Sequence, residues 1–529
     1  MEVLWYILIL MAFSFFSRLI FGIGDSTDDY SHLWMVKERN RYRDLRQHEV
    51  VNTPLKGIRG YPPLAHFLIG FFPRRYWILA GKFLVVLYDC ASVLIVFCSS
   101  YFVFRDFWHL EVAPTMGAFI TALLYSSTPI LFSVESRLKS IGARTLGGLF
   151  FTLYIVSFAA GHLYSSAWFY PPCVVLVLLT FITSQFATQN IIWVSIFLSI
   201  ITLSFLPLIL IASGLMLFLL PIFDGKKILY RKYSHFYHWF IPYLRKNKKN
   251  FNFDLYGRNS IKDLLLLPYH AIHNPRKAFL TFFHQNSFLI AAYSLPIVWV
   301  LLYLTVLHKN APSFPSDWLL NYSFYLMMAA LAVFILTSTR HLLFLGEAER
   351  YFEYASFPLN LLAVFLIFKF STSPFQFFLG IFIINVTLVC ILFIASNMKI
   401  FLSRCFEEKE PDLSELITFI KEIEKPKIIT LPTKFAYTLS LFVDDEASYY
   451  FDNICHSSKG LAYMLDEYLE LYYFIPSFEF FHEKYGIDTF VFSLKYLESS
   501  ESKGVTYNLK ELTEVFGNDT YWVGRYKKQ

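Results

Sequence analysis

No Cys-x-x-Cys pair occurs in the 529 residues of this chain. Its six cysteines (Cys90, Cys98, Cys173, Cys390, Cys405 and Cys455) lie scattered, mostly inside apolar runs, with no His partner at metal-ligand spacing. They read as packing residues and leave the redox compartment open. Charge is scarce too, at 16% of residues against about 25% in an ordinary soluble domain. With 56% hydrophobic and 20% aromatic residues and a mean hydropathy of +0.46, the chain is too apolar for a soluble enzyme. The net charge of +6 is modest, and no Lys/Arg-rich aromatic surface points to nucleic acid. The N-terminal apolar stretch has neither a basic leader nor a small-residue cleavage site, so it is expected to be retained as a helix. No internal repeat is detectable.

What is present is a series of apolar runs of membrane-spanning length. They fall near 3–24, 76–104, 112–132, 190–223, 287–308, 317–338, 356–370 and 375–396, with shorter or interrupted ones near 145–160 and 167–182. This predicts a polytopic α-helical membrane protein of about ten to twelve transmembrane helices. The run from Ile191 to Phe223 contains Pro207 and is too long for one upright span, so it predicts two helices or one kinked one.

The texture divides the chain in two. Residues 1–396 form the expected transmembrane domain, with a large first loop over 25–75. Residues 397–529 carry frequent charges and no spanning run, which predicts a small soluble α/β domain. In it, Lys427–Leu431 and Gly486–Phe492 read as strands, with helical periodicity in Leu413–Glu424 and around Leu461–Leu471. No glycine-rich phosphate loop opens a helix there, so nucleotide binding has no support.

Three carboxylates, Asp25, Asp28 and Asp29, follow directly on the first apolar segment, Val3–Ile23, which contains one charged residue, Arg18. At about 1.5 Å per residue that segment crosses a hydrocarbon core of about 30 Å and delivers the acids to a membrane surface. There they are candidates for a general base or for ligands of a divalent cation, Mg or Mn. A second reading makes them helix caps, with Asp29 or Ser31 at the N-cap. His32 lies one turn beyond Asp28 and would share its helix face.

The run Asp28-Asp29-Tyr30-Ser31-His32-Leu33-Trp34 resembles the Asp-x-Tyr-x-His-Leu sequence that follows the first transmembrane helix in oligosaccharyltransferase catalytic subunits, members of the GT-C superfamily of integral-membrane glycosyltransferases. Tyr61-Pro62-Pro63-Leu64, Glu349-Arg350-Tyr351 and Lys484-Tyr485-Gly486-Ile487-Asp488 are similar to further short motifs of that superfamily. The resemblance implies inverting transfer of a sugar from a polyprenyl-phosphate-linked donor to a glycan, lipid or protein acceptor at the external membrane face. On this match Asp28 is the base, aided by Asp25, Asp29 and His32, with Asp25 and Asp28 as metal candidates. Arg137, Arg144 and Arg350 are donor-phosphate candidates, and Tyr61, His66, Glu347, Glu349 and Tyr351 are substrate-binding candidates. Helix-end anchoring at the headgroups is the other reading of Arg137 and Arg144, and pairing with Glu347 or Glu353 that of Arg350. The tail has no Trp-Trp-Asp-Tyr-Gly sequence, which leaves the acceptor undefined.

These features predict a multi-pass protein of a bacterial inner membrane with its active site on the periplasmic side. The basic segment 224–283 then lies on that same side, against the positive-inside rule, which long loops follow poorly. A lipid-linked-sugar transporter or flippase is the alternative, and it predicts ionisable residues that line a route through the spans.

Overall fold

The computed structural model describes residues 2–22, 29–55, 57–108, 112–132, 138, 141–238, 259, 261–307, 318–339, 342, 345, 348–406, 413–443, 447–451, 454, 477–501 and 506–527. Two compact units form, one from Met1–Ser26, Ile78–Leu220 and Phe251–Phe401, the other from Thr27–Trp77, Pro221–Asn250 and Leu402–Gln529.

The first unit is a helical bundle built from α1 (Glu2–Gly22), most of α4 (Trp77–Asp106), α5 (Pro114–Ser126), α6 (Arg144–Leu163), α7 (Tyr170–Phe181), α8 (Gln185–Thr202), α9 (Leu206–Phe218) and later helices identified by their ranges. Among the described residues, eight helices are long and apolar enough to cross a membrane. The bent pair Ser287–Ser294 and Pro296–Thr305 makes a ninth, and two shorter apolar helices accompany them. The polytopic helical class expected from hydropathy is therefore observed.

Two details refine that expectation, and both involve proline. The long run around Pro207 is two helices, α8 and α9, separated where Leu203 adopts a left-handed φ of 51°. Pro207 sits in the first turn of α9, where its missing N–H removes no hydrogen bond. The run 287–308 is broken rather than straight, bent by 74° between Ser294 and Pro296, because a proline cannot complete the preceding turn.

The helix Arg350–Phe370 is the centre of the bundle. Every residue from Tyr351 to Ile367 is buried, and α5, α6, α8 and the helix Trp318–Ser338 pack around it. A helix that is apolar on all sides has nowhere to go but the middle of other helices. Of its three charged residues, Arg350 and Glu353 fall in the first turn, where the helix dipole favours the acid, and Lys369 in the last, where it favours the base. In the same unit, Arg18 of α1 is fully buried beside Asp89 of α4.

The second unit holds a five-stranded sheet of β1 (Lys427–Leu431), β2 (Ser448–Tyr449), β3 (Thr489–Ser493), β4 (Leu512–Gly517) and β5 (Tyr521–Tyr526) in the order β2-β1-β3-β5-β4. β1 pairs parallel with β2 and β3, whereas β5 pairs antiparallel with β3 and β4. The predicted α/β class and both predicted strands are found, as is the helix Leu413–Glu422. The predicted helix around 461–471 lies outside the described residues.

First-loop residues pack into this same unit. The helices α2 (Asp29–Tyr42) and α3 (Leu64–Gly70) pack together, and α2 lies against the helix Phe435–Phe442. Trp34 meets Phe451 and Tyr437 with ring centroids 4.6 and 5.2 Å apart. The Arg59 guanidinium sits 5.2 Å above the Tyr437 ring and donates to its hydroxyl at 2.6 Å, and Lys37 Nζ donates to the Ser440 carbonyl at 2.8 Å. Burial of those aromatics, not helix propensity, holds α2 in place.

Candidate active site

α2 begins at Asp29, which is 4% exposed, and presents His32 one turn later. Asp25 and Asp28 lie outside the described residues. The structure brings His32, Tyr61 and His66 together. His32 Nδ1 lies 2.9 Å from His66 Nε2 with the rings stacked at 12°, and Tyr61 stands edge-on to both at 5.9 and 5.4 Å.

Burial holds the His66 pKa well below the usual 6.5; the neighbouring His32 and then Arg39 push it the same way, and the Pro62 carbonyl opposes them. His66 is therefore neutral at physiological pH. Neutral His66 offers one ring nitrogen as a donor and the other as an acceptor, so the 2.9 Å contact with His32 is a hydrogen bond between the two imidazoles. The adjoining cavity, lined by Trp34, Arg39, Gln47, Arg59, Tyr61 and His66 among others, measures about 30 Å³. That is room for about two waters and not for a sugar.

In the spanning unit a second polar group gathers at the start of α6 and of the helix Arg350–Phe370. Arg144 Nη2 bonds Glu353 Oε1 at 2.5 Å, with the carboxylate 1% exposed. The Arg144 guanidinium lies 5.7 Å over the Phe186 ring, which Tyr351 and Tyr354 also contact at 5.0 and 5.8 Å. Tyr351, fully buried, donates to the Leu345 carbonyl at 3.0 Å. Glu349, 6% exposed, accepts from Ser287 Oγ at 2.5 Å. Asn259 Oδ1 accepts from Ser287 N–H at 2.7 Å, and Asn259 Nδ2 donates to the Ser338 carbonyl at 3.2 Å.

Of the sequence candidates, Arg144, Arg350, Glu349 and Tyr351 thus fall in one region of this unit, while Arg137 and Glu347 lie outside the described residues. Glu353 is bound to Arg144, a partner the sequence reading did not assign to it. Ser287 and Asn259 were not identified from sequence. Asn286-Ser287 before an apolar run is a helix-start signature, and Asn286 does cap that helix, but nothing local announces the bond to Glu349.

No protein-family model matches the chain, and no curated protein matches it in sequence. Solved structures match its fold along nearly all of its length. ArnT from Cupriavidus metallidurans, bound to undecaprenyl phosphate, aligns with a TM-score of 0.54 at 11% identity over 99% of this chain and 98% of that one. The chain has the GT-C fold.

The oligosaccharyltransferase of Archaeoglobus fulgidus shares that fold. Its apo form aligns at a TM-score of 0.52 and 11% identity, over 97% of this chain and 73% of that one. The form with Zn and sulfate gives 0.50 and 11%, over 98% and 73%. Among the described residues no three His, Cys, Asp or Glu side chains gather as a metal-binding set. Asp25 and Asp28, the metal candidates, lie outside those residues.

Proposed function

We propose that this protein is a glycosyltransferase that moves a sugar from a polyprenyl-phosphate-linked donor to an acceptor hydroxyl or amide at the external membrane face. The observation that carries the reading is the end-to-end correspondence with ArnT, a protein whose structure holds undecaprenyl phosphate, in a chain whose first loop opens with Asp28 and Asp29.

Asp28 acts as the base. It takes the acceptor's proton as the acceptor oxygen or nitrogen attacks the anomeric carbon, and the bond from that carbon to the phosphate oxygen breaks with its electron pair leaving on the phosphate. Inversion follows from this single displacement. Arg144, held by Glu353, and Arg350 offset the charge that grows on the departing phosphate. His32, one turn beyond Asp28 in sequence, aids the base as a second group able to carry the proton. A divalent cation held by Asp25 and Asp28 would supply further charge on the phosphate side. The polyprenyl carrier stays in the bilayer throughout.

The test is release of polyprenyl phosphate by purified wild type and Asp28→Asn. For the transporter alternative, the same proteins in sealed vesicles would move the lipid-linked sugar without releasing its carrier.

A further inference from the structure

A cavity of about 420 Å³ opens in the spanning unit between α4, α6 and the helices Trp318–Ser338 and Arg350–Phe370. Its floor is buried, formed by Tyr322, Phe357 and Leu361 at 4%, 5% and 2% exposure. Its mouth is not: Phe102 and Tyr164 are 45% and 48% exposed on the outer surface of the bundle.

Location along the helices separates it from the polar group described above. The cavity touches α6 from Ile155 to Tyr164, at least eleven residues beyond Arg144, which is about 16 Å or more at 1.5 Å per residue. It therefore extends from one turn beyond Glu353, at Phe357, toward the end of the bundle away from Arg144. At that end the groups suited to a membrane–water interface collect. Trp168 is 87% exposed, Tyr164 Oη donates to Asp106 at 3.0 Å, and the Arg105 fork binds the same carboxylate at 2.6 and 2.9 Å. Exposed Trp and Tyr with a snorkelling Arg mark headgroup level. The mouth at Phe102 is about one turn of α4 deeper, in hydrocarbon.

An apolar cavity of this kind does not fill with water, and one of about 150 Å³ already takes up a benzene. This one is nearly three times larger, within the range of small-molecule sites, and faces lipid. We infer that it is a binding site for one acyl chain of a bilayer glycerophospholipid, whose headgroup lies at the level of Arg105 and Trp168. A chain entering there comes from the leaflet at that end, away from Arg144, the residue proposed to meet the donor phosphate. The inference rests on the spans and the cavity, not on the transferase reading.

Native mass spectrometry of the full chain, loaded with palmitoyl-oleoyl phosphatidylglycerol and stripped by increasing collision energy, tests it. Wild type is expected to retain one phospholipid after the others leave. Ala160→Trp, which fills the cavity, loses that last lipid, and Val156→Phe does the same should the tryptophan variant fail to fold. Met216→Trp, on an exposed face of α9, retains it. Equal retention by wild type and a folded cavity-filling variant overturns the inference. So does a retained molecule whose mass is that of an isoprenoid lipid carried through purification.

Discussion

Arg18 Nε donates to Asp89 Oδ2 at 2.7 Å, tying α1 to α4 where both side chains are essentially inaccessible. The guanidinium also donates to the Ser126 carbonyl at 2.8 Å and lies 4.9 Å over the Phe132 ring, so α5 and the turn after it join the same contact. Two opposite charges inside apolar spans would suit a transport route, but this pair is closed off by backbone and an aromatic face. It is a structural lock on the helix that leads into the acidic loop.

Removing one partner of the lock leaves the other charged and buried. Asp89→Asn or Arg18→Met is expected to destabilise the bundle by about 3–5 kcal/mol, and the double variant Arg18→Met/Asp89→Leu to recover most of it. Unfolding of the purified protein, followed by helical circular dichroism in mild detergent, measures this. A double variant no more stable than the singles would contradict the lock.

Gly60 is a backbone requirement. It holds φ at +63°, and a Cβ there would lie 2.4 Å from the Cβ of Arg231 on α10 (Gly225–His238). Gly60→Ala is expected to lower stability by about 1–3 kcal/mol through strain and displacement of Arg231. Gly380, whose added Cβ meets nothing within 4 Å, is the control: Gly380→Ala is expected to be neutral or slightly stabilising in the same melt.

The His32–His66 pair predicts a pH response. The His66 pKa is depressed in the folded chain, so between that value and 6.5 the unfolded chain binds a proton that the folded chain does not. The stability contributed is intact above pH 6.5 and is lost as pH falls below it. A thermal melt of wild type should therefore drop over that acid range, and His66→Gln should flatten the drop. An identical slope in the variant would remove His66 as its source.

Much of the architecture could be read from local pattern, and the reasons are specific. Lys427–Leu431 is recognisable as a strand because its apolar run is bounded by Pro426 and Pro432, and the helix Phe478–Tyr485 ends where Gly486 takes a left-handed φ of 65°. The start of α2 at Asp29 could be read from the acid there, whereas the meeting of His32 with Tyr61 and His66 could not. Nothing local could reveal that Arg59 binds Tyr437, 378 positions away, or that Ser287 holds Glu349, 62 positions away. Such pairs exist only once distant apolar faces have packed, and a single polar residue in a run carries no record of its eventual partner.

Arg144 separates a phosphate-binding role from simple anchoring. Arg144→Ala is expected to reduce kcat/KM for the lipid-linked donor by on the order of 100-fold, as loss of one donor to a developing oxyanion does. Arg144→Lys keeps the charge but not the planar guanidinium whose Nη2 binds Glu353, and should fall between. Steady-state kinetics with varied donor measure both. Wild-type kcat/KM in a folded Arg144→Ala would assign this residue to helix-end anchoring alone.

The most direct measurement concerns the acid of the first loop. Purified wild type and Asp28→Asn, shown by their melts to be equally folded, are given a polyprenyl-phosphate-linked sugar together with a membrane extract that supplies the acceptor, and liberated polyprenyl phosphate is quantified. The account predicts release by wild type and none above background in the variant, with donor binding retained. Release at the wild-type rate by Asp28→Asn would contradict it.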